Sequence, residues 1–192
     1  MSHSGYGRLM SVDRREHVLR AAAALLTRKA TASMDEIAKA AGISRATLHR
    51  HFAGRDALVR ALERLGIDQF ERALDEARLD EGDAAQAVRR LIEKAEPVAG
   101  ILSFLYTENQ LFEGAVDEGW NRLDARVHAL FVRGQEEGAF RIDLSPAWLT
   151  DALYGLIASG AWAVQDGRVA AKDLTRMVSE LLLGGAQRRA ER

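Results

Sequence analysis

Cysteine is absent from the 192 residues. That excludes a disulfide framework and any thiolate metal site, and a cytoplasmic setting is the expectation. No apolar run approaches the roughly 20 residues that a membrane-spanning helix needs. The opening stretch MSHSGYGRLMSVDRRE has no apolar core of the kind a signal peptide carries. Neither a membrane partner nor a leader is expected. Alternation of apolar and polar residues at strand length is also missing, as are internal repeats and low-complexity segments, so the fold reads as all-α. Catalytic constellations are lacking too. There is no Gly-x-Ser-x-Gly elbow and no Gly-x-x-x-x-Gly-Lys phosphate loop. The histidines are His3, His17, His49, His51 and His128, and no two form a His-x-x-x-His pair. His49 and His51, two apart on a helix, cannot meet one metal from the same face. No metal, no cofactor and no enzymatic activity are expected.

What is present is unevenly placed. The net charge of −1 argues nothing for nucleic acid, but residues 1–60 hold 11 Lys and Arg against 5 Asp and Glu, and the remainder 16 against 23. A basic head on an acidic body is the pattern expected when one end alone meets phosphates. With 47% apolar residues the chain has enough for a core.

The basic head contains the most informative stretch, SMDEIAKAAGISRATLHRHFAGRDALVRALERL, from Ser33 to Leu65. Ser33 with Glu36 three residues on is a capping-box pattern and starts a helix at Met34. Met34, Ile37, Ala38 and Ala41 share one stripe. Gly42 can take the positive φ that stops this helix, Ile43 is placed to plug the core, and Ser44 is the next N-cap. The second helix runs from about Arg45 to Phe52. At roughly 100° per residue, Leu48 and Phe52 turn inward while Ala46, Thr47 and Arg50 turn outward. Arg45 stands at the exposed end, and His49 and His51 flank the helix. Such an outer face suits the major groove, since Arg takes guanine O6 and N7 together and Thr or Ala meets a thymine methyl. Flanking histidines are placed for phosphates. The alternative is an ordinary amphipathic hairpin with a solvated outer face. The Gly turn, the two caps and the Phe52-Ala53-Gly54-Arg55 break into another helix weigh against it.

Ile37-Ala38, Ala41-Gly42-Ile43-Ser44, Thr47-Leu48, His51-Phe52 and Ala57-Leu58 together resemble the DNA-binding domain of the tetracycline-repressor (TetR) family of bacterial regulators. The resemblance implies a DNA-binding surface of Ser44, Arg45, Ala46, Thr47, His49, Arg50, His51 and Arg55, in which Arg45, Ala46, Thr47 and Arg50 contact bases and His49, His51 and Arg55 grip phosphate. His49 departs from the usual Tyr, which makes its contact pH-sensitive, since an unperturbed His titrates at ~6.5. Arg55 replaces the usual Lys and keeps the charge.

The spacing predicts a first helix over 12–28, with Val18, Leu19, Ala22, Leu25 and Leu26 inside and Arg14 and Arg15 near its start, preceded by a flexible basic tail over 1–11. Residues 12–55 form the helix-turn-helix domain, 56–185 the helical body and 186–192 a frayed tail. A fourth helix runs from Asp56 to about Leu79, with Gly66 inside it. Asp83 caps a helix to Lys94, and Pro97 stops or starts the next, which holds Val98, Ile101, Leu102 and Leu105. A loop near Glu108-Asn109-Gln110 leads to a helical stretch over 112–135. Ser145-Pro146 starts a helix to about Gln165, closed by Gly167. The last helix spans about 171–183, with Gly184-Gly185 at its end.

Gly155, Ala158, Ser159, Trp162 and Ala163 share one side of the penultimate helix, and Leu174, Met177, Val178 and Leu181 line the last one. These residues serve either intrachain packing or an isologous four-helix contact between two copies; the resemblance favours the homodimer. The resemblance also implies a small-molecule effector held in the body, for which Phe104, Glu108, Phe112, Trp120, Leu123, Trp148 and Trp162 are the candidate lining. A planar cation can stack on aromatic faces and pair with a carboxylate, so the expected effector is lipophilic and possibly a cationic aromatic. The function implied is a ligand-responsive regulator, a repressor released from a palindromic double-stranded operator, with the fourth helix as lever. A helical protein-interaction module, or an unrecognised helical enzyme, is the alternative.

Overall fold

The computed structural model describes residues 4–29, 31–107 and 118–187, the side chains of 4–13 and 105–107 excepted. Two compact units divide the chain, Met1–Leu65 and Gly66–Arg192.

In the first unit, helix α1 spans Ser4–Arg28. It begins ahead of Val12, so the segment read as a flexible tail is helical from Ser4 on. No proline interrupts it, and Gly5 and Gly7 cost helix propensity without breaking the backbone pattern. Val18, Leu19, Ala22, Ala23 and Leu26 are its buried stripe. Helix α2 spans Met34–Ala40 and α3 spans Arg45–His51. Helix α1 packs on α2, and α2 on α3. Helix α4 runs over Arg55–Ala77. The unit boundary falls inside this helix, not at the 55/56 junction that the turn residues suggest. Leu58, Val59, Ala61 and Leu62 are all buried, so the apolar stripe of the first unit continues past the turn. The turn residues mark a helix start, and a helix start need not be a domain boundary.

The second unit adds α5 (Ala84–Ala95), α6 (Ala99–Thr107), α7 (Glu118–Glu136), α8 (Pro146–Gln165) and α9 (Leu174–Ala186), with 3-10 turns at Glu96–Val98 and Ala171–Asp173. The Asp83 carboxylate accepts from the Gln86 amide at 2.8 Å, and the Ser145 hydroxyl accepts from Trp148 at 3.2 Å. These are the caps the sequence calls for. Helix α8 lies at the centre, packed against α6, α7 and α9, while α5 packs on α7 and α9. Gly160 lets α9 approach closely, because a Cβ there would collide with the Leu174 side chain. Helix α9 runs through Gly184 and Gly185, which the sequence reading takes as its end. Ala186 is buried, its carbonyl accepts from the Arg141 amide at 2.9 Å, and Gln187 bridges to Phe140. Tertiary contacts thus hold a glycine pair in a helix that propensity alone would end. That bridge is the one β pairing among the described residues, and no helix among them is long and apolar enough to cross a membrane.

Candidate nucleic-acid interface and effector body

The turn between α2 and α3 is built from side chains that close helix ends. The Ser33 hydroxyl accepts from the Glu36 amide at 3.3 Å, and the Glu36 carboxylate accepts from the Ser33 amide at 2.9 Å, which completes the capping box. The Lys29 ammonium reaches the same carboxylate at 2.6 Å. This hydrogen bond, ahead of those from the Ser33 amide and hydroxyl, holds the Glu36 carboxyl down at about 2. At the far end of α2, Gly42 has φ +67°, and the Ile43 amide donates back to the Ala38 carbonyl at 2.9 Å. That is the 6→1 bond of a helix stopped by a left-handed residue. Ile43 is half-buried; it covers the edge of the core rather than plugging it.

Ser44 caps α3, its hydroxyl accepting from the Thr47 amide at 3.1 Å. Leu48 is fully buried and Phe52 is 2% exposed. Arg45, Ala46, His49 and Arg50 are exposed, while Thr47 and His51 are half-buried. Leu48 and Phe52 thus face the core as expected, and of the residues expected outward Ala46 and Arg50 are exposed while Thr47 is only half so. The outer face is also ordered by its own hydrogen bonds. The Arg50 guanidinium donates to the Thr47 hydroxyl, and Arg45 pairs with Asp35 of α2 at 3.1 Å. Arg55 donates to the Ala32 carbonyl at 3.0 Å, tying the first turn of α4 to the loop before α2. Two contacts lay beyond sequence reasoning. The Arg15 guanidinium sits over the Phe52 ring, 5.0 Å from its centroid, and the Asp35–Arg45 pair joins residues ten apart. Each depends on which helix faces come together.

The effector candidates divide. Phe104 and Leu123 are fully buried and Trp120 is 6% exposed. Trp148 and Trp162 do not join them: they stand 59% and 36% exposed. Trp148 lies in the first turn of α8, where its backbone amide donates to the Ser145 cap and its side chain stands in solvent. Glu108 and Phe112 lie outside the described residues. Around Trp120 the structure gathers residues that the sequence reading did not group. Phe70 of α4 stacks on Trp120 with centroids 5.9 Å apart, and Tyr154 of α8 meets Phe70 at 5.9 Å and Trp120 at 5.3 Å. Asp124, one turn after Trp120, faces Tyr154. Burial raises the Asp124 carboxyl above its ordinary value, and the charge of Asp151 adds to that, against the Tyr154 hydroxyl and His128. Burial also pushes the Tyr154 phenol well up, reinforced by the Asp124 charge. Asp75 of α4 pairs with Arg126 of α7 at 2.8 Å, and Glu71 with Arg122 at 3.5 Å.

Of the residues read as a possible contact between copies, Ala158, Leu174 and Val178 are buried within the chain's own core, where the two helices close over Gly160. Gly155 is half-buried and Ser159 exposed. Trp162, Met177 and Leu181 remain 36%, 45% and 66% exposed. An open groove of about 550 Å³ runs between α8 and α9, lined by Leu156, Ala163, Val169, Met177 and Leu181 among others.

Residues 18–62 match the family described as bacterial regulatory proteins, tetR family. The HTH-type transcriptional regulator NfxB of Pseudomonas aeruginosa is 30% identical over 174 residues, which cover 89% of this chain and 93% of that protein. The HTH-type transcriptional repressor LfrR of Mycolicibacterium smegmatis is 29% identical over 154 residues, 80% of each. A crystal structure of the TetR-like regulator LfrR from Mycobacterium smegmatis in complex with proflavine has the same fold, with a TM-score of 0.71 at 27% identity over 91% of this chain and 97% of that one.

Proposed function

The chain belongs to the TetR family of bacterial regulatory proteins, and from that premise we propose that it is a cytoplasmic repressor released from a palindromic operator by a planar, lipophilic, cationic aromatic effector. That it is a DNA-binding transcriptional regulator and not an enzyme follows from the family. Repression and the kind of effector are the further steps. Support for the first is that the similar LfrR is a repressor. Support for the second is that LfrR was crystallised with proflavine, and that this chain gathers Phe70, Trp120 and Tyr154 into one aromatic cluster beside a carboxyl.

The observation that carries the DNA reading is the two-faced α3. Leu48 and Phe52 fix the helix in the core, and that leaves Arg45, Ala46, Thr47 and Arg50 as the surface offered to base edges. His49, His51 and Arg55 are the residues proposed to meet phosphates. A single helix of seven residues reads few base pairs, so two copies on a two-fold operator are needed for useful affinity. An effector lowers operator affinity only by its preference for the arrangement that binds DNA poorly; α4, which holds residues of both units, is the proposed lever.

The test is a gel shift on the DNA upstream of the protein's own gene, with and without proflavine. A shift at low salt that proflavine abolishes is the expected result. A folded protein that shifts no DNA would overturn the operator reading. Release by matched aromatic anions, and not by the cation, would overturn the effector class.

A further inference from the structure

Arg45 stands in an unfavourable place. It is the first residue of α3, where the helix dipole presents its positive end and disfavours a cation. Helix α3 has no acid in its own first turn. The compensating charge comes from the neighbouring helix: the Arg45 guanidinium donates through Nη1 to the Asp35 carboxylate of α2 at 3.1 Å. Glu36, next to Asp35, already closes the capping box with Ser33 and holds Lys29, so the N-terminus of α2 has an acid without Asp35. Both side chains of the Asp35–Arg45 pair are exposed, and a pair of that kind adds little to the fold. An exposed acid on a basic head also opposes phosphate. The two arginines of the outer face are thus held in different ways. Thr47 holds Arg50 through an uncharged hydroxyl and leaves its charge whole, whereas Asp35 holds Arg45 through a carboxylate and cancels its charge.

We propose that Asp35 is a positioning residue for operator recognition, which holds Arg45 for a base edge and withholds its charge from phosphates. This rests on the DNA-binding reading of α3 above. A guanidinium has five N–H donors, and among the described residues Asp35 takes Nη1. The Nε and Nη2 side is left to fork guanine O6 and N7. A side chain already steadied by Asp35 gives up less rotamer freedom when it docks there. On DNA of arbitrary sequence the same guanidinium can only trade one anion for another, the carboxylate for a phosphate, and gains little. Arg45 therefore favours the operator more than it favours other DNA. The pair raises the ratio of the two affinities, which is what matters against an excess of competing sites.

Fluorescence anisotropy over a series of salt concentrations compares the duplex upstream of the protein's own gene with a scrambled duplex of equal length. The proteins are the full chain, Asp35→Asn, Arg45→Ala and the double variant. Asp35→Asn should bind the scrambled duplex up to about fivefold tighter, with a salt slope steeper by about one. Its binding to the upstream duplex should not keep pace, so the ratio falls. Single-base variants of the upstream duplex should lose preference at the same position in Asp35→Asn as in Arg45→Ala. With Arg45→Ala already in place, adding Asp35→Asn should move both duplexes alike and leave the ratio as it was. The melting temperature should barely change in Asp35→Asn; a marked drop would assign Asp35 to the fold of α2 instead. Two results would overturn the positioning role while leaving the outer face of α3 standing. One is a ratio unchanged by Asp35→Asn, which means simple repulsion of phosphate, and the other is a ratio lowered equally without Arg45. A wild type that binds both duplexes alike would overturn the operator reading itself.

Discussion

The Arg50 guanidinium donates to the Thr47 hydroxyl at 2.9 Å, and that hydroxyl lies 2.9 Å from the hydroxyl of Ser44, the cap of the same helix. The cap therefore does two jobs. It closes the N-terminus of α3, and through Thr47 it holds a long, otherwise free side chain over the outer face. A guanidinium held in one orientation loses less rotamer entropy when it docks on a guanine edge.

Arg50→Ala is accordingly expected to cost about 1–3 kcal/mol of operator binding and to relax base preference at one position per half-site. Arg50→Lys should not restore either, because an ammonium lacks the planar fork. Fluorescence anisotropy on a set of single-base operator variants measures both. If affinity and preference are untouched in Arg50→Ala, α3 does not face the groove as proposed.

Arg55 should behave differently. Its guanidinium holds the Ala32 carbonyl at 3.0 Å, at the first turn of α4 where the family resemblance places a phosphate contact. Arg55→Ala is expected to weaken all sequences alike and to reduce the salt slope of binding by about one. It should also lower the melting temperature, since the tie to the loop before α2 is lost. A sequence-selective defect with an unaltered salt slope would remove Arg55 from the phosphate contacts.

The contrast between these arginines shows what a linear reading can reach. The caps at Ser33, Ser44, Asp83 and Ser145 and the inward placement of Leu48 and Phe52 are local, so spacing alone reveals them. The pairing of Asp124 with Tyr154 is not local. Asp124 reads as one acid among many on a charged helix, and only the packing of α7 on α8 makes it a half-buried carboxyl beside the Tyr154 phenol. The same limit applies to Arg15, which resembles any basic residue near a helix start and turns out to cover Phe52. Trp148 and Trp162 mislead for the converse reason. Large aromatic side chains are usually buried, and these two lie on faces that the chain itself leaves open.

The capping box gives a pH prediction. Glu36 titrates at about 2, below the ordinary 4.5, chiefly through the Lys29 hydrogen bond and then through Ser33. A depressed carboxylate favours the folded state once it is ionised in the unfolded chain. Its contribution is thus whole above about 4.5 and is lost as pH falls toward about 2. Glu36→Gln should therefore be less stable than the wild type at neutral pH, and the gap should close on acidification. Thermal melts of both proteins between these limits provide the check; a gap that stays constant down to pH 2 would mean that the charge of Glu36 plays no part. High salt should narrow the gap at neutral pH, because the pair is exposed.

The face between α8 and α9 supplies the last prediction. Met177 and Leu181 stand exposed along a groove of about 550 Å³, and Trp162 is exposed on α8. Arg176 and Glu180 line the same groove, so the patch carries one charge of each sign around an apolar centre, as a surface that must match itself requires. We propose that a second copy seats there in a four-helix contact. Leu181→Glu should place two like charges near the two-fold axis and convert the dimer to monomer in sedimentation, with helix content unchanged because Leu181 makes no part of the chain's own core. Binding to a palindromic operator should then fall far more than binding to an isolated half-site, since the variant loses the second head and not the first. A wild type that sediments as a monomer at concentrations where it binds the palindrome would refute this interface, and a Leu181→Glu dimer would move it elsewhere on the body.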